Sequence, residues 1–366
     1  MNILYITNGT SGSGGLERVL AVKASYLVDK LGYNVHILTL NDGNTAHFYE
    51  FSSKITFHDI RVSGNAINYI INYIKGIKNT IKTIHPDVIS VCDDGLKGLL
   101  FPLIFGKSIP VIYERHATTL LNFNDSERPP FYSKLKTVLQ HKLMRYGASK
   151  FDKFIVLTNG NVQEWIGVHC TVIPNINPYN TKPVATNKNK IVLAVGSHSY
   201  NKGYDRLIAV WEIIKKHFPE WKLHIYGKQD ATLNLQNIID SKNLTEHVFL
   251  YNPVKNIEQQ YNKAAILAMP SRSEGFGMVL IEAMSFGVPC ISFDCPFGPG
   301  DIIKNNEDGF LIENDNIEAF ASKLLELIED EQKRMDMGRK PTEHVQRYSS
   351  EHILPLWDEL FKSLVS

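Results

Sequence analysis

Short apolar runs alternate with longer amphipathic stretches along the whole chain. Ile3–Thr7, Asn34–Leu40, Val88–Val91, Val111–Glu114, Phe154–Leu157 and Thr171–Ile173 read as strands, with helix-like stretches between most of them. A polar segment, residues 178–190, interrupts the pattern, which then restarts. Ile191–Val195, Lys222–Tyr226, Val248–Leu250, Ile266–Met269, Pro289–Phe293 and Phe310–Ile312 form the second set. Strands that alternate with helical patterns predict parallel sheets with helices over their faces. The Pro-, Asn- and Lys-rich break marks a domain boundary, which divides the chain into residues 1–177 and 191–348. The tail, residues 349–366, repeats apolar positions at helical spacing (Ile353, Leu354, Leu356, Trp357, Leu360, Phe361, Leu364) and is expected to be one more helix.

The 366 residues are ample for two domains that each bury a core. A net charge of +1 argues against a general nucleic-acid binder, which would carry a basic excess. Cys92, Cys170, Cys290 and Cys295 match no zinc spacing and read as buried thiols. The start, Met-Asn-Ile-Leu-Tyr-Ile-Thr-Asn-Gly, lacks the charged and long apolar regions of a signal peptide. No apolar run reaches the ~18 residues of a membrane span. A cytoplasmic protein is therefore expected.

The chemistry concentrates after the apolar strand Ala265–Met269. Pro270-Ser271-Arg272-Ser273-Glu274-Gly275-Phe276-Gly277-Met278-Val279-Leu280-Ile281-Glu282-Ala283-Met284 sets two carboxylates eight residues apart, with a Gly-x-Gly loop and a helix-like run between them. Ligands of open α/β sheets bind outside the carboxyl ends of strands, where this loop lies. Gly275 and Gly277 let backbone amides approach a ligand, and the following helix N-terminus favours an anion. A carboxylate such as Glu274 repels phosphate and accepts instead from hydroxyls. Hydroxyl acceptors flanking phosphate-binding amides make the layout of a sugar-nucleotide site.

This segment resembles the Glu-x7-Glu signature of retaining glycosyltransferases of family 4. The resemblance implies the GT-B fold: α/β, with two Rossmann-like parallel-sheet domains facing a central cleft. It also implies that Glu274 holds hexose hydroxyls and Glu282 the nucleotide ribose, with Gly275, Phe276, Gly277, Met278 and Val279 lining the donor. In such proteins the last helix crosses back to the N-terminal domain; by its sequence this tail could equally cap the second domain.

Other blocks extend the likeness. The loop Asn8-Gly9-Thr10-Ser11-Gly12-Ser13-Gly14-Gly15-Leu16-Glu17-Arg18-Val19 places Glu17 where a dinucleotide fingerprint has its third glycine. Its Gly-Gly-x-Glu-Arg-Val form resembles the family's N-terminal loop, whose amides at Gly14 and Gly15 would face a diphosphate. Val195–Ile208 resembles the family's Gly-Arg-x5-Lys-Gly block, in which an arginine and a lysine clamp the diphosphate. Lys202 and Gly203 match, but Ser197 stands at the arginine position. The missing charge-assisted bond, ~1.5–3 kcal/mol, is absent or supplied elsewhere, for example by Arg272 or Arg206. His116, after the strand Val111–Glu114, matches the histidine that the family places near the donor sugar. Glu114 and Arg115 could pair with each other and are left outside the site. Asn175 resembles the turn before the linker.

Gly-Gly-x-Glu-Arg-Val in combination with Phe293-Asp294-Cys295-Pro296-Phe297-Gly298-Pro299-Gly300-Asp301-Ile302-Ile303 looks like bacterial transferases of surface polysaccharide and lipid-linked glycan assembly, which mostly use UDP-sugars. The expected activity is metal-independent, retaining transfer of a hexosyl or N-acetylhexosaminyl group from a nucleotide sugar to a glycan or lipid-linked acceptor. Glu274, His116 and Lys202 are the catalytic residues, and no cofactor is required beyond the nucleotide sugar. The alternatives are a GDP-mannose-dependent mannosyltransferase, a nucleotide-sugar epimerase and a non-catalytic nucleotide-sugar binder. No Asp-x-Asp occurs in the chain, and Asp93-Asp94-Gly95 reads as a turn. Arg128–Lys153 holds seven basic residues against Asp152, interleaved with apolar ones. Such a helix either lies on an anionic membrane or is a solvated face.

Overall fold

In the computed structural model, residues 1–43, 45–93, 95–106, 108–118, 131–179, 189–339 and 344–365 are described, with residues 131–137 described by their backbone only. They form two compact units. The first comprises residues 1–117, 131–176 and 351–365, and the second residues 177–350. Most of the expected linker, residues 180–188, lies outside the described residues, as do Asp94 and residues 128–130 of the basic segment.

The first unit holds a seven-stranded sheet of β1 (Asn2–Thr7), β2 (Asn34–Leu40), β3 (Thr56–Ile60), β4 (Val88–Cys92), β5 (Val111–Glu114), β6 (Lys153–Val156) and β7 (Cys170–Val172). The spatial order is β3-β2-β1-β4-β5-β6-β7 and each pairing is parallel, with Ile3 opposite Val35 on one side and Val88 on the other. β3 is not among the strands expected from the hydrophobic pattern. It is an edge strand of mixed polarity, Thr-Phe-His-Asp-Ile, half-buried over most of its length, so it lacks the continuous apolar run of its neighbours.

Alternation along β1 assigns the core to two layers. Ile3 and Tyr5 face one side with Leu20, Ala24 and Leu27 of the first helix (Gly15–Asp29). Leu4 and Ile6 face the other side with Ile89, Val91, Tyr113 and Phe154. Ile353, Leu354, Trp357, Leu360 and Phe361 of the last helix (Ser350–Val365) pack into the first of these layers. The tail therefore belongs to the N-terminal sheet rather than capping the second domain.

The second unit holds β8 (Ile191–Val195), β9 (Lys222–Tyr226), β10 (Val248–Tyr251), β11 (Ile266–Met269), β12 (Cys290–Asp294) and β13 (Gly309–Glu313), in the order β10-β9-β8-β11-β12-β13 and again parallel. Strand order reverses between β1 and β4 in one unit and between β8 and β11 in the other. Such switch points open a crevice at the carboxyl ends of the strands, where ligands bind. Among the described residues, no helix is long and apolar enough to cross a membrane.

Candidate active site

In the second unit, the chain leaves β8 through Gly196–Ser199, makes a single turn at Tyr200–Lys202 and enters the helix Tyr204–His217. Gly203 joins turn to helix at φ +65°, and a Cβ there would lie 2.2 Å from the carbonyl oxygen of Pro270. Only glycine fits both demands. The loop from β11 comes that close because the two segments are laced together. Arg272 N donates to Asn201 O at 2.8 Å, Asn201 Nδ2 to Ser273 O at 2.7 Å, and Ser273 Oγ to Asn201 Oδ1 at 2.6 Å.

This lacing sets Lys202 against Glu274. Lys202 Nζ lies 2.7 Å from Glu274 Oε1, and Ser271 Oγ donates to the same oxygen at 2.6 Å. The Glu274 side chain is 8% exposed and that of Lys202 25%. The pair is thus sheltered but accessible at its cationic end. Beside it, Gly277 (φ +101°) starts the helix Met278–Ser285, where the half-buried Met278 and Val279 occupy the first turn. Phe276 is a core ring, packed edge-on to Tyr348 at 5.4 Å, so its expected place in the donor site reduces to its backbone. Glu282 is 3% exposed, and its Oε2 accepts from Tyr261 Oη at 2.7 Å. Its carboxylate is inside the unit, anchored by a tyrosine that the motif does not reveal.

Arg272 and Arg206, the two candidates to stand in for an arginine at Ser197, are both engaged with carboxylates in this structure. Arg272 binds both carboxylate oxygens of Asp205, at 2.9 and 2.6 Å, and donates to Tyr200 O at 2.7 Å. Burial works against the Asp205 carboxylate, but Arg272 holds it below the usual range. Arg206 donates to Asn314 Oδ1 at 3.0 Å and pairs with Asp315 at 3.1 Å. A hollow of about 350 Å³ opens instead at the carboxyl ends of β8 and β9, lined by Ser197, His198, Ser199, Lys228, Gln229, Asp230 and Ala231. Lys228, exposed in the same hollow as Ser197, brings a cation that sequence spacing did not suggest.

In the first unit, amides at the start of the glycine-rich loop meet one of the chain's own carboxylates. Asp42 Oδ2 accepts from Thr10 N at 2.6 Å and Ser11 N at 3.2 Å, while Oδ1 accepts from Ser11 Oγ at 2.5 Å. Burial pushes the Asp42 carboxyl up, but these donors hold it below its ordinary range. Gly14 caps the first helix and Gly15 begins it. A Cβ on Gly12 or Gly14 would lie 2.2 or 2.6 Å from the Glu17 carboxylate, so these glycines make room for Glu17. Burial raises the Glu17 carboxyl above its ordinary range, against the backbone bonds and the nearby His116.

His116 follows β5, with Nε2 3.2 Å from Glu114 Oε2. Glu114 does not form the local pair considered with Arg115. Its Oε2 takes the ammonium of Lys23, 91 residues away in sequence, and its Oε1 accepts from Ser90 Oγ at 2.6 Å. Donor atoms of Cys92, Glu114 and His116 lie within 4.8 Å of one another. Lys23 already supplies a cation there, and burial holds the Cys92 thiol protonated, so this set is a poor metal site. Asn175 is buried in the same unit. Two residues on, where the second unit begins, Asn177 Nδ2 donates to Ile281 O of the helix Met278–Ser285 in that same unit, at 3.1 Å. The turn at Asp93 is as expected, its Oδ1 accepting from Gly95 N at 2.8 Å.

Comparison with known proteins agrees with this geometry. Residues 13–176 match the model of Glycosyltransferase Family 4, and residues 177–344 that of Glycosyl transferases group 1. The amylovoran biosynthesis glycosyltransferase AmsD of Erwinia amylovora is 29% identical, over 98% of this chain and 99% of its own. A lipopolysaccharide 1,6-galactosyltransferase of Salmonella typhimurium is 24% identical, over 91% of each. HepE of Anabaena, solved with UDP-glucose, superposes with a TM-score of 0.80 at 18% identity, over 100% of both chains. The two family matches abut, and each falls on most of one parallel-sheet unit; the chain belongs to the family 4-like glycosyltransferases of GT-B fold.

Proposed function

We propose that the protein is a retaining, metal-independent glycosyltransferase that moves a hexosyl or N-acetylhexosaminyl group from a UDP-sugar to an acceptor hydroxyl in polysaccharide or lipid-linked glycan synthesis. The observation that carries the reading is the Lys202–Glu274 pair, 2.7 Å apart at the switch point of the second sheet and beside a helix N-terminus. A leaving diphosphate gathers negative charge as the glycosidic bond breaks. A preorganised lysine and backbone amides stabilise it, each donor being worth roughly 3 kcal/mol in comparable sites. On donor binding Lys202 turns to the diphosphate, which frees Glu274 Oε1 for sugar hydroxyls. Lys228 offers a second cation in the neighbouring hollow.

The family resemblance assigns His116 to the donor sugar. The first loop, with Asp42 and Glu17 inside its amides, suits hydroxyls better than phosphate. The polysaccharide reading draws on AmsD and the galactosyltransferase, and the UDP reading on the UDP-glucose held by HepE. A membrane-borne acceptor suits the exposed Val138, Leu139, Leu143 and Tyr146, which share the helix Phe131–Ala148 with Lys142 and Arg145. Of the basic residues expected on that helix, Lys134 and Lys136 have side chains outside the described set.

Thermal shift against UDP, GDP, ADP and their sugars tests the donor. Ligand at about a hundred times Kd adds ~2.7 kcal/mol. Stabilisation by UDP species alone is expected, followed by acceptor-dependent UDP release that EDTA does not inhibit. Stabilisation by GDP species alone would make it a mannosyltransferase. UDP binding without turnover across a donor panel would make it a binding protein.

A further inference from the structure

Glu114 and Lys23 each expose 1% of their side chains. Beyond Glu114, the Lys23 ammonium has two aromatic partners, the Trp357 ring centroid at 3.7 Å and that of Tyr5 at 5.1 Å. Three elements of the first unit thus converge on one ion pair: the first helix, the end of β5 and the last helix. A buried ion pair is a weak source of stability, and apolar residues of similar volume commonly serve as well or better. Such a pair is therefore better explained by something that it holds in place. What it holds here is His116.

An ionised carboxylate can only accept hydrogen bonds. With Oε2 of Glu114 at 3.2 Å, Nε2 of His116 must carry the proton, and in the neutral ring Nδ1 is then the acceptor. We infer that Lys23 and Glu114 are positioning residues of the transfer reaction: Lys23 keeps Glu114 ionised, and Glu114 fixes the orientation and the Nε2–H tautomer of His116, so that Nδ1 is the acceptor of the neutral ring. Trp357 closes the far side of the ammonium, which brings the last helix into the same device. This inference rests on the reading that His116 touches the donor sugar.

The test is Glu114→Gln in the full chain, with UDP-glucose and UDP-N-acetylglucosamine as probes and UDP release as the readout. A glutamine amide both donates and accepts, so the lock is lost while the shape is kept. The expected result is a fall in kcat of about 10–100-fold, the scale for second partners that orient ligand-holding histidines, with the donor KM little changed. In a His116→Ala background the same substitution should cause no further loss. Independently of activity, ¹⁵N NMR of labelled histidine should show the Nε2–H form of His116 in the wild type and a mixture in the variant. An additive loss in the double variant, or an unchanged tautomer, overturns the inference. Wild-type turnover by His116→Ala would instead remove His116 from the site and overturn the reading beneath it. If Glu114→Gln fails to fold, Lys23→Met/Glu114→Gln removes both charges together and must give the same kinetic result.

Discussion

Lys23→Met removes one charge from the buried pair and leaves the other with too little compensation. Burial pushes the Glu114 carboxyl up, but Lys23 and then His116 overcome it and hold it at about 2 against an ordinary 4.5. At about 1.36 kcal/mol per pH unit, that gap amounts to ~3 kcal/mol of stability in the first unit. Because the folded value is the lower one, this stability is fully present above pH 4.5 and is lost as pH falls from 4.5 towards 2. Breaking a buried pair from one side costs a similar ~3–5 kcal/mol. Hydrogen exchange reads the loss locally. Peptides from the helices Gly15–Asp29 and Ser350–Val365 report the first unit, and Tyr204–His217 of the second is the control. At neutral pH, exchange in the first two should rise about a hundredfold. The difference from wild type should shrink as pH falls below 4.5 and Glu114 takes a proton, and Lys23→Met/Glu114→Gln should recover most of it. A loss that does not vary with pH would assign the effect to packing of the lysine stem and refute the electrostatic argument.

Glu274→Ala should abolish transfer while the protein stays folded by circular dichroism; wild-type activity in this variant would sink the assignment of the second-unit site. Gly203→Ala sets a Cβ 2.2 Å from Pro270 O in a left-handed position, itself costing ~1–2 kcal/mol, and the turn bearing Lys202 must shift. A lower Tm together with at least a tenfold drop in turnover is expected, and full turnover would show that Lys202 need not sit where it does. Tyr261→Phe strips a donor from the buried Glu282, at ~1–3 kcal/mol. Calorimetry with UDP should show weaker binding as well as lower stability. Lower stability with unchanged UDP affinity would make Glu282 a structural residue.

By itself the sequence determined what is local. Runs such as Ile3-Leu4-Tyr5-Ile6 are apolar on both faces because parallel strands are covered on both sides, so twelve of the thirteen strands among the described residues were legible. The loops that bear Lys202 and Glu274 were each visible as a motif at a strand end, though not that the two side chains would meet. The strand Thr56–Ile60 escaped because Thr-Phe-His-Asp-Ile lacks a continuous apolar run and is half-buried over most of its length. Tertiary structure alone decided which distant groups meet. A lysine in an amphipathic helix reads as a solvated charge, and nothing near Lys23 announces that β5 will bring Glu114 to it, or the last helix Trp357. The occupation of the glycine loop by Asp42, the anchoring of Glu282 by Tyr261 and the approach of Lys228 to Ser197 are of the same kind. Hydrophobic periodicity fixes which face of an element is buried. Only the order in which the sheet is wound decides what that face is buried against.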